Sequence, residues 1–579
     1  MDVHQLSPFI SVCSQITAAD VGLAASMGFK AIMSNRPDNE SEDQPANDEI
    51  RQACERHGLA WYYLPVISGQ ITDENAADFR EMMAAIRGPV LAFCRTGTRC
   101  CTLWALAEAP RLDVEAILKA TAAAGYDLSA QRERINALAN EGLPAQAITS
   151  GSGRRHDVLI VGGGAGGQSV AASLLKRKPD LDIAIIEPRT EHFYQPGWTL
   201  VGGGVFERKD TVRPMEQVMP DQVKWYHAAA STFEPKQQQV VLEDGERIGY
   251  RMLVVSPGLR LDWDAIPGLR ETLGSNGVTS NYLFDLAPYT WDLVQSTRRG
   301  KALFTQPPMP IKCAGAPQKA MYLACDYWHR NNRLGELDIQ FCNAGGALFG
   351  VADYVPALME YIEKYGIELN FMHNLAAVDG QAKTALFKVT DGEGQVSEVE
   401  KPFDMIHVCP PQTSPKFIVD SPLADADGWL DLSPETLQHK QFGDIFGLGD
   451  GGNTPNAKTA AAVRKQAPVV AENVLRALEG EAPRAIYDGY GSCPLTVERG
   501  KIVLAEFGYG GKLLPTFPNW LVQGTRPSKL SWLLKEKMLP WLYWEGMLKG
   551  REWLAEPEIL AHNPAVQDTS DACDWKDKP

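Results

Sequence analysis

The feature that most constrains this chain is the run Asp157-Val-Leu-Ile-Val-Gly162-Gly-Gly164-Ala-Gly-Gly167, which leads into Gln-Ser-Val-Ala-Ala-Ser-Leu-Leu. An apolar strand enters GxGxxG and a helix leaves it, so the spacing predicts the first βα turn of a dinucleotide-binding half. Gly162 permits the tight turn, Gly164 lets the backbone approach a pyrophosphate, and Gly167 lets helix and strand pack closely. The helix N-terminus then offers free N–H groups and a partial positive charge to the phosphates. The next strand, LDIAIIE, ends at Glu187, where a carboxylate accepts from ribose hydroxyls and repels a 2′-phosphate, which disfavours NADP.

A second segment of this kind is Asp444-Ile-Phe-Gly-Leu-Gly-Asp450, a strand that delivers an acid before the helical KTAAAVRKQAPVVAENVL. With LVVSPG at 253–258 as a return strand, three matching elements point to FAD, and the helix after Asp450 is expected to face the flavin. Where a further half would open with its own glycine turn, the chain reads KALFTQPPMPIKCAGAPQKA. Proline lacks the N–H groups of a phosphate turn, so the electron donor is not expected to be a pyridine nucleotide.

A different constellation precedes this one. The strand PVLAF runs into Cys94-Arg-Thr-Gly97-Thr-Arg99-Cys100-Cys101 and then the helical TLWALAEAP, an anion cradle in which N–H groups and the helix dipole lower a thiol pKa. Four residues separate Cys94 from Arg99, fewer than the five of a tyrosine-phosphatase loop, which favours the tighter rhodanese type and a persulfide on the cysteine. Cys100 stands where a Ser or Thr is expected, and Cys100 or Cys101 could resolve a persulfide or be ordinary helix thiols. Asp38, in RPDNE, is a general acid if the chemistry is phosphate cleavage and otherwise a turn residue. With SPFISVCSQIT and MSNRPDNE, the domain resembles the phosphatase-like sulfurtransferase domains of β-lactamase-hydrolase-like proteins.

The stretches EPRTEHFYQPGWTLVGGG, PIKCAGAPQKAMYL, HVCPPQTSP, GLGDGGNTPNAKTAAAV and YDGYGSCPL resemble the sulfide:quinone oxidoreductases over about residues 155–555. The resemblance implies oxidation of sulfide at a cysteine beside FAD, electron transfer to a ubiquinone-type quinone, and FAD contacts at Ala165, Gly166, Glu187, Gln195 and Asp450. Cys313 is the implied reactive thiol, and its own surroundings suit it, with Lys312 beside it and a helix starting just beyond. The family's second cysteine is expected just after the GD pair, where this chain has Gly451. Cys409 and Cys342 are the candidates to replace it, while Cys493 is expected to pack near the membrane end.

The fold expected is therefore α/β. A cysteine-phosphatase-like or rhodanese-like domain (1–110) is followed by a helical appendage and linker (111–154) and two Rossmann-like dinucleotide-binding domains (155–486). An amphipathic helical segment facing membrane and quinone (487–555) and a polar tail (556–579) complete it. Six of the 14 Trp lie beyond residue 515. Trp532, Leu533, Leu534, Met538, Leu539, Trp541, Leu542, Trp544 and Leu548 form apolar faces broken by Lys535, Lys537, Lys549 and Arg551, a pattern of interfacial helices too short to span.

The net charge of −16 excludes nucleic acid as a first-choice partner, and 11 cysteines are too sparse for a disulfide scaffold. No signal-like start is visible, so the expected location is the cytoplasmic inner face of the membrane. No metal is called for, and a homo-oligomer is left open. The expected activity is sulfide oxidation coupled to quinone reduction, with Cys94 relaying sulfane sulfur to a small or protein thiol. Two alternatives stand beside it, a non-turnover flavin sulfur sensor and an oxidoreductase fused to a cysteine-dependent phosphatase.

Overall fold

The computed structural model describes residues 1–7, 10–86, 89–109, 114–141, 154–518 and 520–560. Most of the linker after residue 141, and the tail from residue 561, lie outside the described residues. The chain forms two compact units, Met1–Arg155 with Ala228–Gly249, and His156–His227 with the chain from Tyr250 onward.

In the first unit a five-stranded sheet runs in the order Val3–Ser7, Ile10–Cys13, Val90–Phe93, Ala31–Ser34, Ala60–Tyr63. Only the first pair is antiparallel. The strands ISVC, VLAF and AIMS are buried along their whole length, as befits parallel strands covered on both faces. Helix Thr98–Glu108 is buried nearly throughout. The expected helical appendage is two helices, Val114–Ala123 and Arg132–Glu141, whose Ile117 and Ile135 share one apolar core with Leu103 and Trp104. The hairpin Ala230–Glu234/Gln239–Leu242, whose second strand pairs antiparallel with Arg247–Gly249, belongs to this unit.

The second unit holds two parallel sheets. One carries the strand Arg155–Val161 of the glycine fingerprint, with Ile183–Ile186 beside it, Lys224–Tyr226 beyond, and Ile445–Gly447 paired to Leu253–Val255. The other runs in the order Val278–Thr279, Met405–His407, Gly300–Gln306, Leu337–Asn343, Glu368–Phe371. Helix Ala316–Arg330 follows its central strand Gly300–Gln306 and is buried over most of its length. A three-stranded antiparallel sheet, His373–Asp379, Thr384–Thr390 and Val396–Pro402, is inserted in the chain between the strands Glu368–Phe371 and Met405–His407 of the second sheet.

The region beyond residue 487 departs from the purely interfacial expectation. It opens with an antiparallel hairpin, Gly491–Glu498 and Lys501–Phe507. Cys493, Leu495 and Val497 alternate along the first strand and pack in one core with Ala320, Met321 and Tyr322 of the long helix. Only afterwards comes the helical stretch, opened by helix Lys529–Leu533, whose N-cap Ser528 accepts from the Leu530 and Ser531 N–H groups. Its apolar residues divide. Trp544 and Leu548 are buried, whereas Leu533, Met538 and Trp541 are about half exposed. Among the described residues no helix is long and apolar enough to cross a membrane.

Candidate active site

Between strand Gly300–Gln306 and helix Ala316–Arg330, where a nucleotide half would place its phosphate turn, the chain sets Cys313 in the left-handed region at φ 50°. Its N–H donates to the Lys458 carbonyl (2.8 Å). The Cys313 sulfur lies 3.8 Å from the sulfur of Cys493 and accepts from Lys319 Nζ at 3.0 Å. Lys319 Nζ also reaches Cys493 Sγ, at 3.7 Å. Gly315 makes the approach of strand and loop feasible, because a Cβ there would overlap Leu495 and come within 2.7 Å of Cys493 Sγ.

The charge distribution follows from these contacts. The Cys493 thiol, and after it the Lys319 ammonium, hold Cys313 well below the ordinary thiol range against the opposing effect of burial. Cys493, donating to Cys313 and buried, is pushed well above it. One proton thus serves two sulfurs, and the negative charge rests on Cys313. A second cation, Lys535, acts on both sulfurs electrostatically. It is buried, and burial draws its ammonium down to about 7.

Four expectations are corrected here. The thiol beside Cys313 is Cys493, brought in by the hairpin strand, and not Cys409 or Cys342. Burial pushes both of those up to about 12, and Cys409 exchanges weak hydrogen bonds with Gln412 and the Pro410 carbonyl instead. Gly451 does not mark a lost thiol, since a Cβ there would press on the Gly258 carbonyl at 2.9 Å. The ammonium touching Cys313 belongs to Lys319 and not to Lys312, whose Nζ donates to Gln195 Oε1 and lies over the Trp198 and Tyr282 rings. Lys535, expected at an interface, faces inward. The sequence signals that bear on Lys319 and Cys493 are a lysine in the first helical turn six residues after Cys313, and the alternation Cys493, Leu495, Val497, which marks a strand with one buried face.

The glycine loop has the features a dinucleotide needs. Gly162 has φ 101° with its Cβ direction blocked by the Ser256 carbonyl, and a Cβ on Gly167 would overlap the Gly162 carbonyl. A Cβ on Gly164 would meet nothing within 4 Å, leaving room where a pyrophosphate approaches. Glu187 is buried and accepts from the Gly163 N–H (2.8 Å) and the Arg189 N–H (2.9 Å), which fixes its carboxylate at the strand end. Ala165 opens helix Ala165–Arg177, and Gly166 faces Ser256 so closely that a Cβ would overlap Ser256 Oγ. Burial raises the Asp450 carboxyl, with Lys312 and Lys458 opposing, and Lys458 Nζ donates to the Asp450 carbonyl (2.9 Å). Thr459 caps helix Ala460–Leu478 just beyond.

In the first unit Cys94 follows strand Val90–Phe93, and the Gly97 N–H donates to its sulfur at 3.2 Å. The thiol is drawn down to about 5, first by a hydrogen bond from the Cys100 thiol and then by the N–H groups of Cys100, Thr96 and Arg99, with burial opposing. Arg99 is buried, with both Nη groups committed and its Nε without a hydrogen-bond partner among the described residues. Its Nη1 donates to the Asn35 and Val66 carbonyls (3.0 and 2.7 Å) and its Nη2 to Glu40 (2.7 Å). Asp38 Oδ1 accepts from the backbone and side-chain nitrogens of Asn47 (2.9 and 3.0 Å), the role of a turn residue capping helix Asn47–His57.

Comparison with known proteins agrees with this division. The profile of the phosphatase-like domain of β-lactamase hydrolase-like proteins matches residues 2–111, and that of pyridine nucleotide-disulphide oxidoreductases matches residues 156–288. The mitochondrial sulfide:quinone oxidoreductase of Dictyostelium discoideum is 42% identical over 70% of this chain and 88% of its own length. The chain belongs to the sulfide:quinone oxidoreductase family. It is an FAD-dependent oxidoreductase, and the residues around Gly164, Glu187 and Asp450 suit that cofactor. The sulfide:quinone oxidoreductase of Aquifex aeolicus shares the fold, with a TM-score of 0.57 at 18% identity, covering 71% of this chain and 98% of that one. The first unit of this family member is a fused module, 33% identical to the β-lactamase hydrolase-like protein of Agrobacterium fabrum over 22% of this chain and 31% of that protein.

Proposed function

We propose that the second unit oxidises sulfide at the Cys313–Cys493 pair and reduces a quinone, and that the first unit transfers the resulting sulfane sulfur through Cys94 to a thiol acceptor. The observation that carries the reading is the pair of sulfurs 3.8 Å apart with Lys319 Nζ 3.0 Å from one of them. Closing the pair to a disulfide bond of about 2.05 Å needs only a small approach of the two side chains.

Sulfide attacks the Cys493 sulfur of that disulfide. The S–S bond breaks, Cys493 carries the new persulfide, and Cys313 leaves as thiolate. This direction follows from the charge distribution, because the thiol with the lower pKa is the better leaving group. Lys319 holds the charge that develops on Cys313. An acceptor thiolate then takes the outer sulfur from Cys493, and re-forming the disulfide releases two electrons. FAD, when bound, accepts two electrons and passes them to the quinone. Gly162, Gly164, Ala165, Gly166, Gly167, Glu187, Gln195 and Asp450 are the residues proposed to hold it.

Trp520 is 84% exposed, and with Leu533, Met538, Trp541 and Leu554 it supports docking of the C-terminal stretch on a membrane surface, where a lipid-soluble quinone resides. In the first unit sulfur transfer is favoured over phosphate hydrolysis because both Arg99 Nη groups donate to Glu40 and to two carbonyls, leaving only the Nε–H without a partner for an anion. The sensor alternative loses its motive, since a second thiol stands beside Cys313.

The test is sulfide-dependent reduction of a short-chain quinone by the holoenzyme. Cys313→Ser and Cys493→Ser are each expected to abolish it, while Cys409→Ser retains it. Full activity in Cys493→Ser would overturn the two-thiol reading.

A further inference from the structure

The C-terminal stretch carries a charge opposite in sign to that of the chain as a whole. Between residues 512 and 556 seven Lys and Arg stand against four Glu, whereas the whole chain has 56 Lys and Arg against 72 Asp and Glu. The mean field of such a chain repels an anionic surface, so attraction to one has to come from a local patch acting within a Debye length of about 8 Å. One such patch is built around the turn at Gly550.

Gly550 has φ 66°, and a Cβ there would press on the Ala172 carbonyl at 2.6 Å, so the turn lies hard against helix Ala165–Arg177. Two further contacts fasten it. Glu552 is buried and accepts from Ser173, Lys176 and Arg177 of that helix, and the Arg464 guanidinium donates to the Trp553 carbonyl. An open cleft of about 450 Å³ lies here, lined around Gly550 and Glu552 by Lys176, Lys549, Arg551, Trp553 and Glu556. At about 30 Å³ per water this is room for a phospholipid headgroup, and more than a single ion fills.

The cations of the cleft are incompletely met. Arg551 is exposed, forms no ion pair among the described residues, and lies 5.7 Å over the Trp553 ring. Lys549 pairs with Glu545 one turn earlier, an exposed contact of the kind that contributes little. Lys176 shares the inward-facing Glu552 with Arg177, and of the two carboxylates in the lining only Glu556 is exposed. Beside the cations the surface turns apolar. The Trp541 and Trp553 rings stack at 5.3 Å, 7° from parallel, and Leu554 next to them is 67% exposed. Indole rings adjoining Lys and Arg suit the level where headgroups meet acyl chains.

We propose that this cleft binds the headgroup of an anionic phospholipid, its phosphodiester held by Arg551 and Lys549 and its chains lying along Trp541, Trp553 and Leu554. This rests on the reading that the C-terminal stretch docks on a membrane, and it names the lipid selected there. A zwitterionic headgroup brings its own ammonium among three side-chain cations and finds only Glu556 to receive it. Selection therefore follows from the charge of the cleft, against the sign of the whole chain.

The experiment is cosedimentation of the full-length holoenzyme with vesicles of phosphatidylcholine alone or mixed with phosphatidylglycerol. Each Lys or Arg near an anionic surface strengthens binding by about fivefold, so the mixed vesicles are expected to bind more than about twentyfold tighter, and Lys549→Gln with Arg551→Gln to lose most of that preference. Lys512→Gln with Lys529→Gln makes the same charge change outside the cleft and is expected to lose less. Equal binding to both vesicles, or equal losses in the two double variants, overturns the proposal. Phosphate that releases the protein more than chloride of equal ionic strength assigns the cleft to a free anion and overturns it too. No binding to either vesicle overturns the docking reading beneath it. Should the cleft variant fold poorly, the wild-type protein decides: a photoactivatable phosphatidylglycerol is expected to cross-link the peptide around Arg551, and cross-links confined to other peptides overturn the proposal.

Discussion

Cys94 and Cys313 occupy the same kind of place and are charged by different means. Cys94 follows strand Val90–Phe93 and precedes helix Thr98–Glu108; Cys313 follows strand Gly300–Gln306 and precedes helix Ala316–Arg330. A neighbouring thiol is the largest single cause that draws each one down, Cys100 for Cys94 and Cys493 for Cys313. Beyond that they diverge, since Cys94 relies on backbone N–H groups and Cys313 on the ammonium of Lys319. A backbone cradle is fixed by the fold and does not titrate. An ammonium can be removed by mutation or tuned by a further charge, here Lys535. The difference sets a thiol whose charge is built into the backbone in one unit against a thiol whose charge depends on a nearby ammonium in the other.

The sharpest test is the pH dependence of alkylation, followed by mass. Cys94, with its thiol near 5 against an ordinary value of 9.0, is a thiolate at all pH above that point. Its rate should be flat from pH 9 to 6 and fall only as pH drops through 5, whereas an ordinary thiol slows by roughly tenfold per pH unit over the same range. A rate that falls steadily from pH 9 would break the comparison on the Cys94 side.

Lys319→Met should come next in size. It removes the ammonium 3.0 Å from Cys313 and should slow Cys313 alkylation at pH 7 by about tenfold or more, leaving Cys94 unchanged. Unchanged Cys313 reactivity would mean that Cys493 alone sets its charge. Gly97→Ala probes the other cradle. With φ at 86° and the Tyr126 hydroxyl in the way of a Cβ, it should destabilise the first unit by more than about 1 kcal/mol in denaturant melts. Cys94 alkylation at pH 6 should slow in the same protein, and quinone reduction should persist. Lys535→Met should give the smallest effect, a slowing of Cys313 by less than about tenfold, because this lysine is already losing its proton near pH 7. That slowing should shrink above pH 7, where the native lysine is neutral, and a slowing independent of pH would show a packing effect instead.

Much of the site is local and therefore legible. The glycine loop, the strand-end Glu187 and the Cys94 loop are each complete within a few tens of residues, because backbone conformation and helix N-termini specify them. The second thiol was not legible in this way, because 180 residues separate Cys493 from Cys313. The alternation of Cys493, Leu495 and Val497 announces a strand with one buried face but does not say what that face meets. Lys535 misled for a related reason. Among exposed neighbours such as Leu533 and Met538 it reads as an interfacial cation, yet it is buried.

The sequence by itself determined the α/β classes, the dinucleotide turn, the cysteine loop and the strand-to-helix positions of Cys94 and Cys313, since each is encoded by short-range sterics and hydrogen bonding. Only the tertiary structure decided which thiol partners Cys313, which lysine carries its counter-charge, and that Arg99 is tied to Glu40. Those pairings arise where separate elements pack, and the close approach of strand to loop at Gly315 that brings Cys493 to Cys313 is a property of the assembled core.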